Sequence, residues 1–286
     1  MWSETSYKIR KFKEHLFLAS TVVAVILAII PLLSILFEVV RRGLPAISIE
    51  FLTSPPGIIG QPGGGIANAI QGTFILIGLS SLIGVPIGIL AGIYLAEFGN
   101  NHLGKVVRFF SDVLMQMPSI VIGIFVYVLV VLTLGKFSPL AGAVALSIIM
   151  LPIVIKTTEE SIRLVPNLLR EGALALGLRR WRVILSIVVP AAKNGIVTGV
   201  MLAVARIAGE TAPLIMTVLG SQWFFTSLFE PIDALPLRIW RLALLPYEYA
   251  HQQGWGAALV LITIVLALNV VAKTLTKMSF RRKVKI

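Results

Sequence analysis

Long uninterrupted apolar runs decide what this chain can be. Several reach roughly 18 residues or more, the length a helix needs to cross about 30 Å of hydrocarbon. The remainder of the chain cannot offset them: 57% of the residues are hydrophobic and only 13% charged, with a mean hydropathy of +0.93. A soluble domain carries about 25% charged residues. The sequence therefore predicts an all-α integral membrane protein of six transmembrane helices. The expected spans are 16–39, 69–95, 107–133, 138–155, 195–219 and 255–276, in one transmembrane unit over 1–286. The first run follows a basic head (Lys8, Arg10, Lys11, Lys13) and resembles a signal segment. It is too long for one and lacks a small-residue cleavage site, so it reads as a retained span.

The net charge of +12 would indicate nucleic acid in a soluble chain. Here the charges flank apolar runs, which makes them orientation signals instead. With both termini in the cytoplasm, the inner segments hold nineteen Lys and Arg residues. The outer segments hold five: Arg41, Arg42, Lys136, Arg238 and Arg241. That asymmetry sets the topology. The long outer loops at 40–68 and 220–254 should fold as short helices and turns, with Trp223, Trp240 and Trp255 in an interfacial belt. There is no Cys, and His15, His102 and His251 form no metal motif.

The inner loop, 156–194, carries a patterned segment. Asn167 is placed to cap a short helix whose apolar face is Leu168, Leu169, Ala173 and Leu176. Gly177 is placed to end that helix in a left-handed turn. A second helix runs from Arg179 to Val189, and Pro190 should stop or kink it. From physics alone, this elbow could lie on anionic lipid, held by its arginines. However, its spacing (Glu171-x-Ala173, Gly177, then Ile187-x-x-Pro190) resembles the EAA loop of binding-protein-dependent ABC importer permeases. Gly172 and Val189 replace the usual Ala and Leu, and both keep the helix-turn-helix possible. The resemblance implies a type I importer permease whose coupling residues are Glu171, Ala173 and Gly177, docked in a groove of an ATPase subunit. The chain has no P-loop, so ATP and Mg belong to that partner, and this chain needs no cofactor and catalyses nothing.

A second unusual feature lies inside the fifth span. Arg206 sits about 16 Å into it by helical rise, near the midplane, where a charge costs about 2.5–3.5 kcal/mol. Glu210 is four residues on, on the same face. The pair could simply staple two helices together. Alternatively, Arg206 offers a guanidinium to a crossing anion, phosphate or carboxylate, and Glu210 holds it in place. Gly209 and Pro213 should loosen the helix there.

This run, Arg206-x-x-Gly209-Glu210-Thr211-Ala212-Pro213-Leu214, is similar to that of the phosphate-specific permeases, in particular their A subunit. So are Gly64 to Thr73, Leu235 to Trp240 and Trp255 to Leu259, which carry the likeness from about residue 60 onward. The resemblance implies import of inorganic phosphate. It also implies a heterodimer with a homologous second permease, two ATPase subunits and an extracytoplasmic phosphate-binding protein, in the cytoplasmic membrane and without nucleic acid. Importers of molybdate, sulfate or phosphonate share the elbow and remain the alternative. An ion-coupled secondary carrier or a channel is more remote, since neither needs an ATPase elbow and no inverted halves are visible. The glycines Gly63 to Gly65 form either an anion nest or a hinge. Glu97, Lys105 and Asp112 read as interfacial charges without a special role.

Overall fold

The computed structural model describes residues 4–58 and 61–283, so Lys285 of the basic tail lies outside the described residues. Helix α1 is Glu4–Gly43, followed by a short turn and α2, Ile49–Thr53. Then come α3 (Ala67–Glu97), α4 (His102–Gln116), α5 (Ser119–Val126), α6 (Leu132–Leu134) and α7 (Pro139–Arg163). Next are α8 (Asn167–Ala175), α9 (Arg180–Val183), α10 (Val189–Ala208) and α11 (Ala212–Thr217). Last are α12 (Leu235–Leu244) and α13 (Glu248–Lys283). Among the described residues there is no strand, only two isolated bridges, Pro56 to Gly64 and Leu219 to Ile232. Five helices are long and apolar enough to cross a bilayer, or six with a bent pair counted as one.

That bent pair corrects the expected third span, 107–133. The chain turns through 107° between α4 and the 119–134 helix. Pro118 is the physical cause. It disfavours helical geometry in the preceding residue, and Met117 is accordingly extended at ψ 135. A π turn at Tyr127–Val131 joins α5 to α6.

The expected fifth span, 195–219, differs at both ends. Helix runs without a sharp bend from Arg180 to Ala208, 29 residues. Pro190 neither stops it nor separates a short elbow helix. A π turn at Ile184–Val188 lies just before it, where the missing proline N–H would otherwise break the ladder. At its C-terminal end the helix closes at Gly209, and α11 starts afresh with Pro213 in its first turn.

Helix α7 is the axis of the bundle, and Leu146, Met150 and Val154 are almost wholly buried in its core. Lipid tails are as apolar as the helices, so close packing has to supply the attraction. Gly84, Gly88 and Gly92 of α3, one turn apart, provide it. A Cβ on Gly88 would lie 2.7 Å from Val154 Cγ1, and one on Gly92 would lie 2.6 Å from Thr158 Cβ. Helix α1, by contrast, is exposed along nearly its whole length and packs against α13.

This packing makes a testable contrast. Gly92→Val should destabilise the detergent-solubilised protein by about 1–3 kcal/mol, the usual cost of overpacking. Gly78→Ala, where a Cβ would meet nothing within 4 Å, should leave the melting temperature nearly unchanged. Equal melting curves for the two would refute the α3–α7 contact as described.

Candidate functional site: elbow and charged break

The elbow is built as a hinge between α7 and α10. Pro166, not Asn167, occupies the cap position of α8, and no side chain caps it. Gly177 takes φ +78, a left-handed turn that a glycine adopts without strain. The expected apolar face divides in two. Ala173 is buried with Ile162, Val165, Val183, Val188 and Ala192. Leu168 and Leu176, at 80% and 84% exposure, point away from the protein. Leu164, at the end of α7, and Trp181, in α9, are exposed as well, so the elbow presents an apolar knuckle to its surroundings. Glu171 is exposed on α8.

Arginines hold the elbow to the membrane helices. Arg170 of α8 donates to Glu97 Oε1 at 3.0 Å, to the Ile162 carbonyl at 2.8 Å and to the Val165 carbonyl. One side chain thus ties α8 to the ends of both α3 and α7. Arg180 donates to the Glu97 carbonyl at 2.7 Å and stacks over Phe98 at 4.5 Å. Arg108 of α4 donates to the Leu95 and Gly99 carbonyls, each at 2.9 Å, and to Glu159 at 2.8 Å. Arg163 meets the same carboxylate at 2.6 Å. Helix C-termini leave carbonyls unpaired and carry partial negative charge, and cations answer both.

Glu97 and Asp112 therefore have the roles that sequence reasoning denied them. Glu97 anchors Arg170, and Asp112 pairs with Lys156 across α4 and α7; Lys105 is exposed. One signal was available. A carboxylate at the C-terminal end of an apolar helix opposes the helix dipole, so Glu97 required a cation.

Arg206 and Glu210 lie at the break that ends α10. Arg206 Nε stands 3.5 Å from Glu210 Oε1, an ion pair rather than a tight hydrogen bond. The arginine side chain is 51% exposed and the glutamate 15%. Arg206 lines a cavity of about 20 Å³ together with Met117, Ser119, Ile149 and Ile153. Ile149 and Ile153 flank the midpoint of α7, so the guanidinium lies beside the middle of that helix. The cavity sits where α4 turns into α5, so the two helix breaks lie near one another beside α7. Pro213 of α11 closes over Gly123 of α5, where an added Cβ would lie 2.7 Å from Pro213 Cα. The structure thus places the predicted elbow residues together at one end and the charged pair in the middle.

A family model of the binding-protein-dependent transport system inner membrane component matches residues 84–285. The phosphate transport system permease protein PstA of Pasteurella multocida is 44% identical over 275 residues, 95% of this chain and 97% of that one. Its counterpart in Haemophilus influenzae is 43% identical over 275 residues, covering 96% of each. A solved bacterial alginate ABC transporter, in complex with an alginate pentasaccharide-bound periplasmic protein, superposes with a TM-score of 0.64 at 19% identity. That match covers 96% of this chain and 99% of that one, and at such identity it speaks for the fold. The chain belongs to the binding-protein-dependent transport system inner membrane component family and, within it, to the PstA-type permeases.

Proposed function

We propose that this chain is a permease subunit of an ATP-driven importer and carries inorganic phosphate inward across the cytoplasmic membrane. The relatives that match it nearly end to end are named for phosphate transport. The observation that carries the reading in the structure itself is Arg206. A half-exposed guanidinium at mid-bilayer depth is costly unless it faces a wet path. Its planar fork suits a tetrahedral oxyanion, and Glu210 orients it and neutralises it between passages.

In this reading Arg206 and Glu210 belong to the substrate path, which a homologous second permease completes as a heterodimer. Glu171, Ala173 and Gly177 belong to the coupling element. The knuckle of Leu164, Leu168, Leu176 and Trp181 enters a groove on one of two ATPase subunits, which bind ATP and Mg. An extracytoplasmic phosphate-binding protein delivers the ion from outside, and both termini are cytoplasmic. Support for the docking comes from the knuckle, since apolar side chains so exposed mark an interaction surface. Support for the transmission comes from Arg170, whose bonds make α8, α3 and α7 move together.

Three outcomes are expected of the whole complex in proteoliposomes, with equal protein in the membrane. Arg206→Gln should lower uptake of labelled phosphate by about 10- to 100-fold, the worth of a charge-assisted hydrogen bond, while ATP hydrolysis persists. Unchanged uptake would remove Arg206 from the path. Gly177→Val forces a β-branched residue to φ +78 and should uncouple hydrolysis from uptake. Gly177→Asn, which tolerates that conformation, should retain most of it. Arg170→Ala should keep the ATPase bound on co-purification yet lose transport. If Arg170→Ala transports normally, the strap is not the transmission.

A further inference from the structure

Beyond the charged break the chain leads outward to a second basic site. After α11 it turns at Leu219 (φ 65) and Gly220 (φ 87). The turn is pressed against Arg241 of α12: a Cβ on Gly220 would lie 2.6 Å from Arg241 Nη1. Ser221, next in the turn, accepts from Asn68 at 2.8 Å and from Arg238 Nη2 at 3.2 Å. Arg238 is nine-tenths buried and forms an ion pair with Asp233, which is wholly buried. Its Nε is buried too and finds no acceptor among the described residues. Both oxygens of the Asp233 carboxylate likewise lack a directed hydrogen bond, so charge holds the buried pair and the rest of the guanidinium is left to line the space outside it.

Arg238 and Arg241 both line a cavity of about 360 Å³ at the outer end of the bundle. Gln222 and Gln253 add amides to its wall, and Leu242 and Leu245 form an apolar side. Two arginines against one carboxylate leave the site positive, and the apolar side lowers the dielectric, which strengthens attraction for an anion. Gly63 and Gly65 of the glycine triplet border it, and the Gly65 N–H is already engaged, donating to the Pro55 carbonyl at 2.8 Å. Gln253 holds the triplet by donating to the Gly63 carbonyl at 3.1 Å.

We propose that this outer cavity is a second oxyanion site, in which Arg238 and Arg241 receive a phosphate group. In import the site takes the ion at the outer surface before it reaches Arg206, a role that rests on the function proposed above. Free phosphate and a lipid headgroup offer the same chemistry, and the test separates them.

The test uses the whole complex in nanodiscs, without binding protein or nucleotide. Binding of labelled inorganic phosphate is measured for the native protein, Gly78→Ala, Arg241→Gln and the double variant Asp233→Asn with Arg238→Gln. The double variant removes both buried charges at once and so leaves no orphan. Phosphate should bind native and Gly78→Ala alike. It should bind at least about tenfold more weakly to the two outer-site variants, in keeping with the loss of a charged donor. Native mass spectrometry of the same samples would instead assign the site to a headgroup if a phospholipid is retained by the native complex and lost with Arg241→Gln. If neither phosphate nor lipid occupancy responds to the outer variants, the proposal is overturned. Uptake by the native complex is scored separately. Uptake with unresponsive outer variants removes only this site, whereas absent uptake with anion binding that depends on Arg241 removes only the phosphate-import reading.

Discussion

Inside hydrocarbon no water is available to a broken helix, and that constraint governs where this protein can bend. Each unpaired N–H or C=O in lipid costs several kcal/mol, so irregular backbone survives only within protein or beside a wet cavity. The breaks at Met117–Pro118 and at Gly209–Thr211 obey this rule, lying together beside α7. Where helices instead end beside the elbow, arginines take over. The carbonyls of Leu95, Glu97 and Gly99 at the end of α3, and of Ile162 and Val165 at the end of α7, all accept from Arg108, Arg170 or Arg180.

Charge is consequently deployed at three depths with three purposes. At the inner surface, Arg–carboxylate contacts are mostly covered and serve to join helices. At mid-depth, Arg206 and Glu210 are only loosely engaged, which leaves the guanidinium able to exchange partners. At the end of the bundle away from the elbow, Arg238 is locked to Asp233, whose carboxyl stays above its ordinary range because burial outweighs the lowering effect of Arg238. The guanidinium groups at these levels differ less in chemistry than in how tightly each is already held.

Much of the fold was legible in the sequence, because long apolar runs have few alternatives in a bilayer. The number of spans, the left-handed turn at Gly177 and the charged residues of the fifth helix were all readable from composition and spacing. Local proline effects were not. Pro118 was passed over inside an apolar run that it breaks, whereas Pro190, expected to break its helix, is accommodated by a π turn. A proline's consequence depends on whether the neighbouring turn can widen, and one sequence does not encode that visibly. The apolar face assigned to α8 failed for another reason. Periodicity locates side chains around an axis but does not say that two neighbours will cover different sides. Contacts such as Arg170 with Glu97, 73 positions apart, require the fold itself.

The unbroken helix from Arg180 to Ala208 has a mechanical consequence. Its first residue belongs to the elbow, and Arg206 lies near its far end. At 1.5 Å per residue those two points are about 39 Å apart on one rigid rod. Such a rod is a lever arm, and a tilt of about 10° displaces its tip by about 7 Å, from the same rise per residue. That exceeds the 3.5 Å now separating Arg206 from Glu210, which lies beyond the end of the rod. A modest swing at the elbow end is therefore geared up into a stroke at the Arg206 end that is larger than the present Arg206–Glu210 separation.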